Sequence, residues 1–248
     1  MKRKAKLILL FFLMVTVHFA QAQEKFNYNT DFKKVLARSK DQNDSLCFDK
    51  LMIRFLTNDS TLSDFQVLAL LIGFTDKPEY KHYDDLRMER EIYKLNGAEK
   101  FQQGLDSANI FLRTHPLNVK VLYEKSYSFF KLGQKDSAQY YLYQGRKIFQ
   151  AMYYSGDGKT KDAPTFALGP ADGHEYIRKF MGEEIGVMGS GMDKHGNFID
   201  ILEVKYSDGH TMNMYFIIQH ATDKMFGGKS MKEEIKEQKN SSKKKKGK

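Results

Sequence analysis

Gly158-Lys159-Thr160 supplies the glycine, cation and hydroxyl with which a loop cradles phosphate. Such a loop also needs a preceding strand and a glycine where Tyr153 stands, and the pattern before it is helical. A glycine-rich helix-to-strand turn accounts for these residues. His174-Glu175 opens like the helix of a zinc peptidase, whose second histidine lies one helical turn on. Arg178 occupies that place, so the pair does not complete a metal motif. His174, His195, His210 and His220, with Asp200 and Glu203 among them, are of metal-ligating types, but they lack the close spacing of a zinc site. They are read as separate surface histidines in turns, and no metal or other cofactor is assigned.

Asp157 and Asp162 could face a calcium ion, but the alternating oxygen ligands of a calcium loop are missing, and Asp157 is expected to bond to its own turn. Gly189-Ser190-Gly191 places its glycines directly beside the serine, whereas a nucleophile elbow separates them by one residue. Tyr123, Tyr127, Phe130, Tyr140, Tyr141, Tyr143, Tyr153 and Tyr154 form a dense aromatic set. Most are expected in helix–helix packing. Tyr123, Tyr127, Phe130 and Tyr141 are the candidates for an exposed recognition surface, because a phenol joins an apolar body to a polar tip.

The elements that must position these groups change character along the chain. Residues 23–57 read as a polar lead-in with one short helix. Ser63, with Gln66 after it, reads as a capping box opening a helix that is apolar on most of its surface. From 58 to 154 the pattern is helical, broken at Asn96-Gly97, at His115-Pro116-Leu117-Asn118 and at Gly133-Gln134. Gly97 and Gly133 suit left-handed C-caps, and Asn118 and Asp136 suit N-caps. Over 119–150 the pattern resembles a tetratricopeptide helical hairpin. Leu122, Phe129, Gly133, Ala138 and Leu142 fill its slots, while Lys125, Ser126 and Gln150 depart from it. One repeat earlier Pro116 and Gly104 fit, but Ala108 is small where a large aromatic is usual. Residues 155–226 read as a small α+β unit: a short strand at 164–168, a short helix at 173–181, and strands at 198–206 and 211–218. Ser207-Asp208-Gly209-His210 joins the last two as a hairpin turn.

The ends fix the expected compartment. Lys2, Arg3, Lys4 and Lys6 precede an apolar run over 7–19 and a small-x-small site at Ala20-Gln21-Ala22, the three parts of a cleavable signal peptide over 1–22. The run is shorter than the ~20 residues a spanning helix needs. The single cysteine, Cys47, excludes an internal disulfide and is read as a buried thiol. The net charge of +9 sits at the two ends, because residues 23–228 sum to −1. That near-neutral body argues against nucleic acid. Residues 227–248 read as a basic disordered tail. Its lysines at 243–246 suit weak contact with an anionic membrane surface, each adding up to about 1 kcal/mol, against the alternative of a solvated tail.

Taken with the apolar helix after Asp59-Ser60-Thr61-Leu62 and the 74–80 segment, three further pieces carry a family resemblance. They are Ser155-Gly156-Asp157-Gly158, Ala163-Pro164-Thr165-Phe166 and the Glu175-Tyr176 pair. Over about 55–218 the chain resembles the domain of unknown function family 4919 of exported proteins from Bacteroidetes-type bacteria. The resemblance implies an envelope or secreted location and brings no activity or ligand.

The expectation is therefore an exported α+β protein with N-terminal tetratricopeptide-like helical hairpins followed by a small unit with a β-hairpin. It is expected in the periplasm or outside the cell after cleavage near Ala22, as a non-enzymatic interaction or scaffold module whose partner is another envelope protein or peptide. One alternative is a hydrolytic or carbohydrate-modifying enzyme with Asp157, His174 and Glu175 at the seam between helices and glycine-rich segment. The other is a small-ligand or metal-binding module using the C-terminal histidines.

Overall fold

The computed structural model describes residues 26–227, so the expected signal peptide and nearly all of the expected basic tail lie outside the described residues. Asn27 opens the first helix, α1 (Tyr28–Lys40), its side chain accepting from the Asn29 and Thr30 amides. After a turn comes α2 (Phe48–Leu56). The lead-in thus holds two helices where one was expected. Both belong to the main core, because Val35, Leu51 and Phe55 fall on inward faces and Leu46 and Cys47 are buried between the helices.

The helix α3 (Asp64–Phe74) begins at the expected capping box: the Gln66 amide donates to Ser63 Oγ, and the Ser63 amide donates to the Gln66 side chain. Residues 67–72 are all fully buried, since α1, α2 and α7 (Lys135–Ser155) surround the helix. Between them run α4 (His82–Gly97), α5 (Phe101–Leu112) and α6 (Val119–Lys131). Consecutive members of the α4 to α7 series pack on one another.

The breaks follow local chemistry, with two corrections. Gly133 is left-handed as expected, with φ +78°, but Gly97 is the last helical residue of α4 and the left-handed position is Glu99, φ +59°. Asn118 caps α6 through the Val121 amide at 3.0 Å. Asp136 does not cap α7: Gln134 stands at the N-cap without a side-chain bond, and Asp136 sits inside the first turn, where its charge suits the helix N-terminus.

Beyond α7 the chain forms a four-stranded sheet of order β1-β4-β3-β2. The strands are β1 (Thr165–Phe166), β2 (Glu184–Met192), β3 (Phe198–Lys205) and β4 (Thr211–Ile217). β1 pairs parallel with β4, and the other two pairings are antiparallel. Gly209, φ +88°, turns β3 into β4 as the sequence indicates. The expected short helix is α8 (Asp172–Glu175) running on as a π-helical turn, Tyr176–Met181. Two elements had no counterpart in the sequence reading: β2, whose glycines dilute its alternation, and α9 (Gln219–Met225). One continuous apolar core joins helices and sheet, from Val35 to Ala221. A smaller cluster of Ile92, Ala108, Phe111 and Val121 fills the space among α4, α5 and α6.

α3 is the most enclosed element, so truncating it should be costly. Leu70→Ala should lower the unfolding free energy by about 2–5 kcal/mol, read by chemical denaturation.

Candidate functional site

One face of α4 recurs as His82, Asp85, Glu89, Ile92 and Asn96, all buried and four of them polar. Each buried polar group needs a partner, and α6 supplies two of them. Asn118 donates to Glu89 Oε1 at 2.7 Å while its own oxygen caps α6. Asn96 donates to the Glu124 carbonyl at 3.0 Å and carboxylate at 2.8 Å, and accepts from Ser128 Oγ at 2.8 Å.

Above this second network opens a cleft of about 600 Å³. α4 gives it Tyr93 and Asn96; α6 gives Tyr123, Glu124, Tyr127 and Phe130; α7 gives Ala138, Gln139 and Leu142; and the π-helical turn gives Lys179. Tyr123, Tyr127 and Phe130 share a helix face by their four- and three-residue steps. Tyr93, Tyr127 and Phe130 are 59%, 45% and 60% exposed. Tyr123 lies deeper, 5.3 Å from Phe149 between ring centroids, and burial pushes its hydroxyl up to about 12. α7 can approach it only because residue 145 is glycine: a Cβ there would stand 2.5 Å from the ring. Burial raises the pKa of Glu124 and depresses Lys125 to about 8.

Three of the four aromatics expected at a recognition surface therefore line one cleft. Tyr141 does not. It stacks on Phe129 at 5.6 Å, with the Lys125 ammonium 3.8 Å from its ring centroid. Tyr93, Asn96, Glu124 and Lys179 escaped the sequence reading. Asn96 was read only as part of a helix break, because the buried face of α4 is polar, while Lys179 reaches the cleft only through the tertiary fold.

The proposed seam residues do not assemble into one pocket. Asp157 accepts from its own Lys159 amide at 3.1 Å, as its turn chemistry predicts, and lines a separate cleft of about 330 Å³ with Tyr153, Tyr176 and Glu183. Glu175 is buried with Lys120 Nζ at 3.7 Å, and His174 is driven toward its neutral form by burial and then by Arg178 and Lys120.

Around Glu175 lies a group of acids that the sequence did not single out. Asp172 is buried and accepts from the Gly169 amide at 2.9 Å; burial and then the Glu89 charge push it up to about 8. Asp85, pushed up to about 7 by burial and Glu89, lies 3.2 Å from His115 Nε2. That imidazole also lies within hydrogen-bond distance of the Glu79 carbonyl at Nε2 and of the Thr114 hydroxyl at Nδ1. Asp172 is enclosed, whereas Asp85 and His115 line an open cleft of about 300 Å³ with Glu79, Met88 and Phe111.

The histidines are not uniformly surface residues. His220 is buried in α9, its ring stacked on Phe166 at 4.5 Å, because its flat ring fills a core position between α1 and the sheet. His210 sits in the hairpin turn, bonded to Asp208 and stacked on Tyr206. Among the described residues no three His, Cys, Asp or Glu side chains are placed to hold a metal ion. No described helix is long and apolar enough to cross a membrane.

Sheet, helical series and cleft together define an α+β domain in which stacked helices frame an open cleft and a small sheet shares their core. The chain belongs to the family DUF4919, a domain of unknown function, whose pattern it matches over residues 33–226. No curated protein and no solved structure matches it.

The buried acids and histidines set opposite pH slopes. Asp172 keeps its proton in the folded state up to about 8, whereas the unfolded chain releases it near 3.8, so stability falls with rising pH across that interval. His82 and His220, held down to about 3 by burial, make stability rise from there to 6.5 and contribute no further change above it. Melting temperature should therefore fall between pH 6.5 and pH 8, and Asp172→Asn should flatten that fall. A variant that kept the full slope would clear Asp172 of responsibility.

Proposed function

We propose that this protein is a non-enzymatic binding module of the cell envelope whose cleft takes an extended peptide segment of another envelope protein. The observation that carries the reading is the exposure of Tyr93, Tyr127 and Phe130 around the hydrogen-bonded floor of Asn96 and Glu124. Exposed aromatic side chains offer large contact area at low entropic cost, while fixed amide and carboxyl groups select polar partners. The α4/α5 and α6/α7 pairs act as tetratricopeptide-like hairpins, an architecture whose concave faces bind extended chains. The basic head and small-x-small site of residues 1–22 support export, to the periplasm or beyond.

The test is affinity capture of tagged protein from envelope extracts, followed by calorimetry with the purified partner. The double change Tyr127→Ala and Phe130→Ala should weaken binding by about tenfold or more, as for central interface aromatics. Tyr153→Ala, an exposed tyrosine outside this cleft, should leave the affinity unchanged. Equal binding by all three proteins would refute the cleft as the binding surface.

A further inference from the structure

Among the described residues the sheet ends on β2, which pairs with β3 alone. An edge strand turns alternate N–H and C=O groups outward, where they can template another strand, and natural edges are usually blunted by lysine, proline or a cover. Residues 185–192 of β2 contain no charge and no proline; a register shift between Ile185 and Met188 is the one blunting device there. Val187 and Met188 are 73% and 59% exposed. Beyond the shift, residues 188–192 run in unbroken register against 198–202.

That regular stretch reads Met188-Gly189-Ser190-Gly191-Met192, the same in both directions. An antiparallel pair matches one strand read forward against the other read backward, and a two-fold axis requires each copy to present the same surface. About an axis at Ser190 any strand can meet its own copy, and this stretch then sets methionine against methionine and glycine against glycine. The glycines point the same way. A Cβ on Gly189 would meet nothing within 4 Å, and one on Gly191 only Ile201 at 3.5 Å, so packing inside the chain does not require either glycine. Glycine within a strand weakens it and often marks close approach by another backbone.

We propose that β2 pairs antiparallel with β2 of a second copy of this chain, about a two-fold axis at Ser190, joining the two sheets. Met188 then lies opposite the partner's Met192, on the face that carries Leu202, where methionine's flexible thioether packs on its counterpart. Gly189 and Gly191 leave the other face flat. A junction this short buries less than the ~1,200 Å² of a standard interface, so association is concentration-dependent.

Directly opposite residues in an antiparallel pair have Cα atoms about 4.5–5.5 Å apart, within disulfide range. In a Cys47→Ser background, Ser190→Cys should therefore oxidise to a covalent dimer. It should do so about tenfold faster than Ser207→Cys on the exposed hairpin turn, because pairing raises the effective thiol concentration. Adding Met188→Lys, which sets an unpaired charge in the junction, should return Ser190→Cys to the control rate. Wild-type protein should also sediment faster as its concentration rises. Ser190→Cys crosslinking no faster than the turn control, or a wild-type chain that remains monomeric at every concentration, would overturn the proposal.

Discussion

Asn118 does two jobs with one side chain, and the helical half of the molecule is arranged around that fact. Its oxygen caps α6, and its nitrogen holds the Glu89 carboxyl of α4. Glu89 is almost fully buried and carries one further oxygen with no partner among the described residues, a costly arrangement for an ionised carboxylate. Burial raises its pKa, and the amide of Asn118 limits that rise. The α4–α6 contact is thus fixed by direction-dependent hydrogen bonds, where an apolar contact would tolerate sliding. Asn96 repeats the device farther along α4, and its bonds to Glu124 and Ser128 form the cleft floor. Register between the two helices is set twice, and the aromatic positions above the floor follow from it.

The remainder of the fold works by a different rule. α3 has no polar face, and it is held by being surrounded. The same apolar core continues under the sheet, so helices and strands are a single packed body. The polar seam and the dry core meet at Tyr80, whose hydroxyl donates to the Leu168 carbonyl at 2.6 Å while its ring lies between Phe74 and His82. A buried phenol bridges the two environments because it belongs partly to each.

How much of this could be read in advance depended on whether the signal was local. The capping box at Ser63, the cap at Asn118, the left-handed Gly133 and the hairpin at Gly209 are chemistry of three or four neighbouring residues, and all were legible. Tyr123, Tyr127 and Phe130 could be grouped by helical spacing alone. Tyr141 was misjudged because its partner, Lys125, lies half a hairpin away and covers its ring. β2 was missed because Gly186, Gly189 and Gly191 interrupt the alternation that marks a strand. The buried face of α4 was hidden by its polarity, since amphipathic reasoning searches for apolar stripes and α4 turns acids and amides inward.

The outermost described helices touch. Tyr28 and Phe32 of α1 stack against His220 of α9, and the Tyr28 hydroxyl lies 3.4 Å from that imidazole's Nδ1. Among the described residues β1 likewise finds its one strand partner in β4, the last of the four strands in chain order. Each contact joins segments far apart along the chain, and such contacts form late, because the loops they close are long. During synthesis the helices up to α7 can begin to pack, but the apolar flank of α1 and the edge of β1 wait for α9 and β4. The arrival of β4 and α9 is therefore also the event that seals the core.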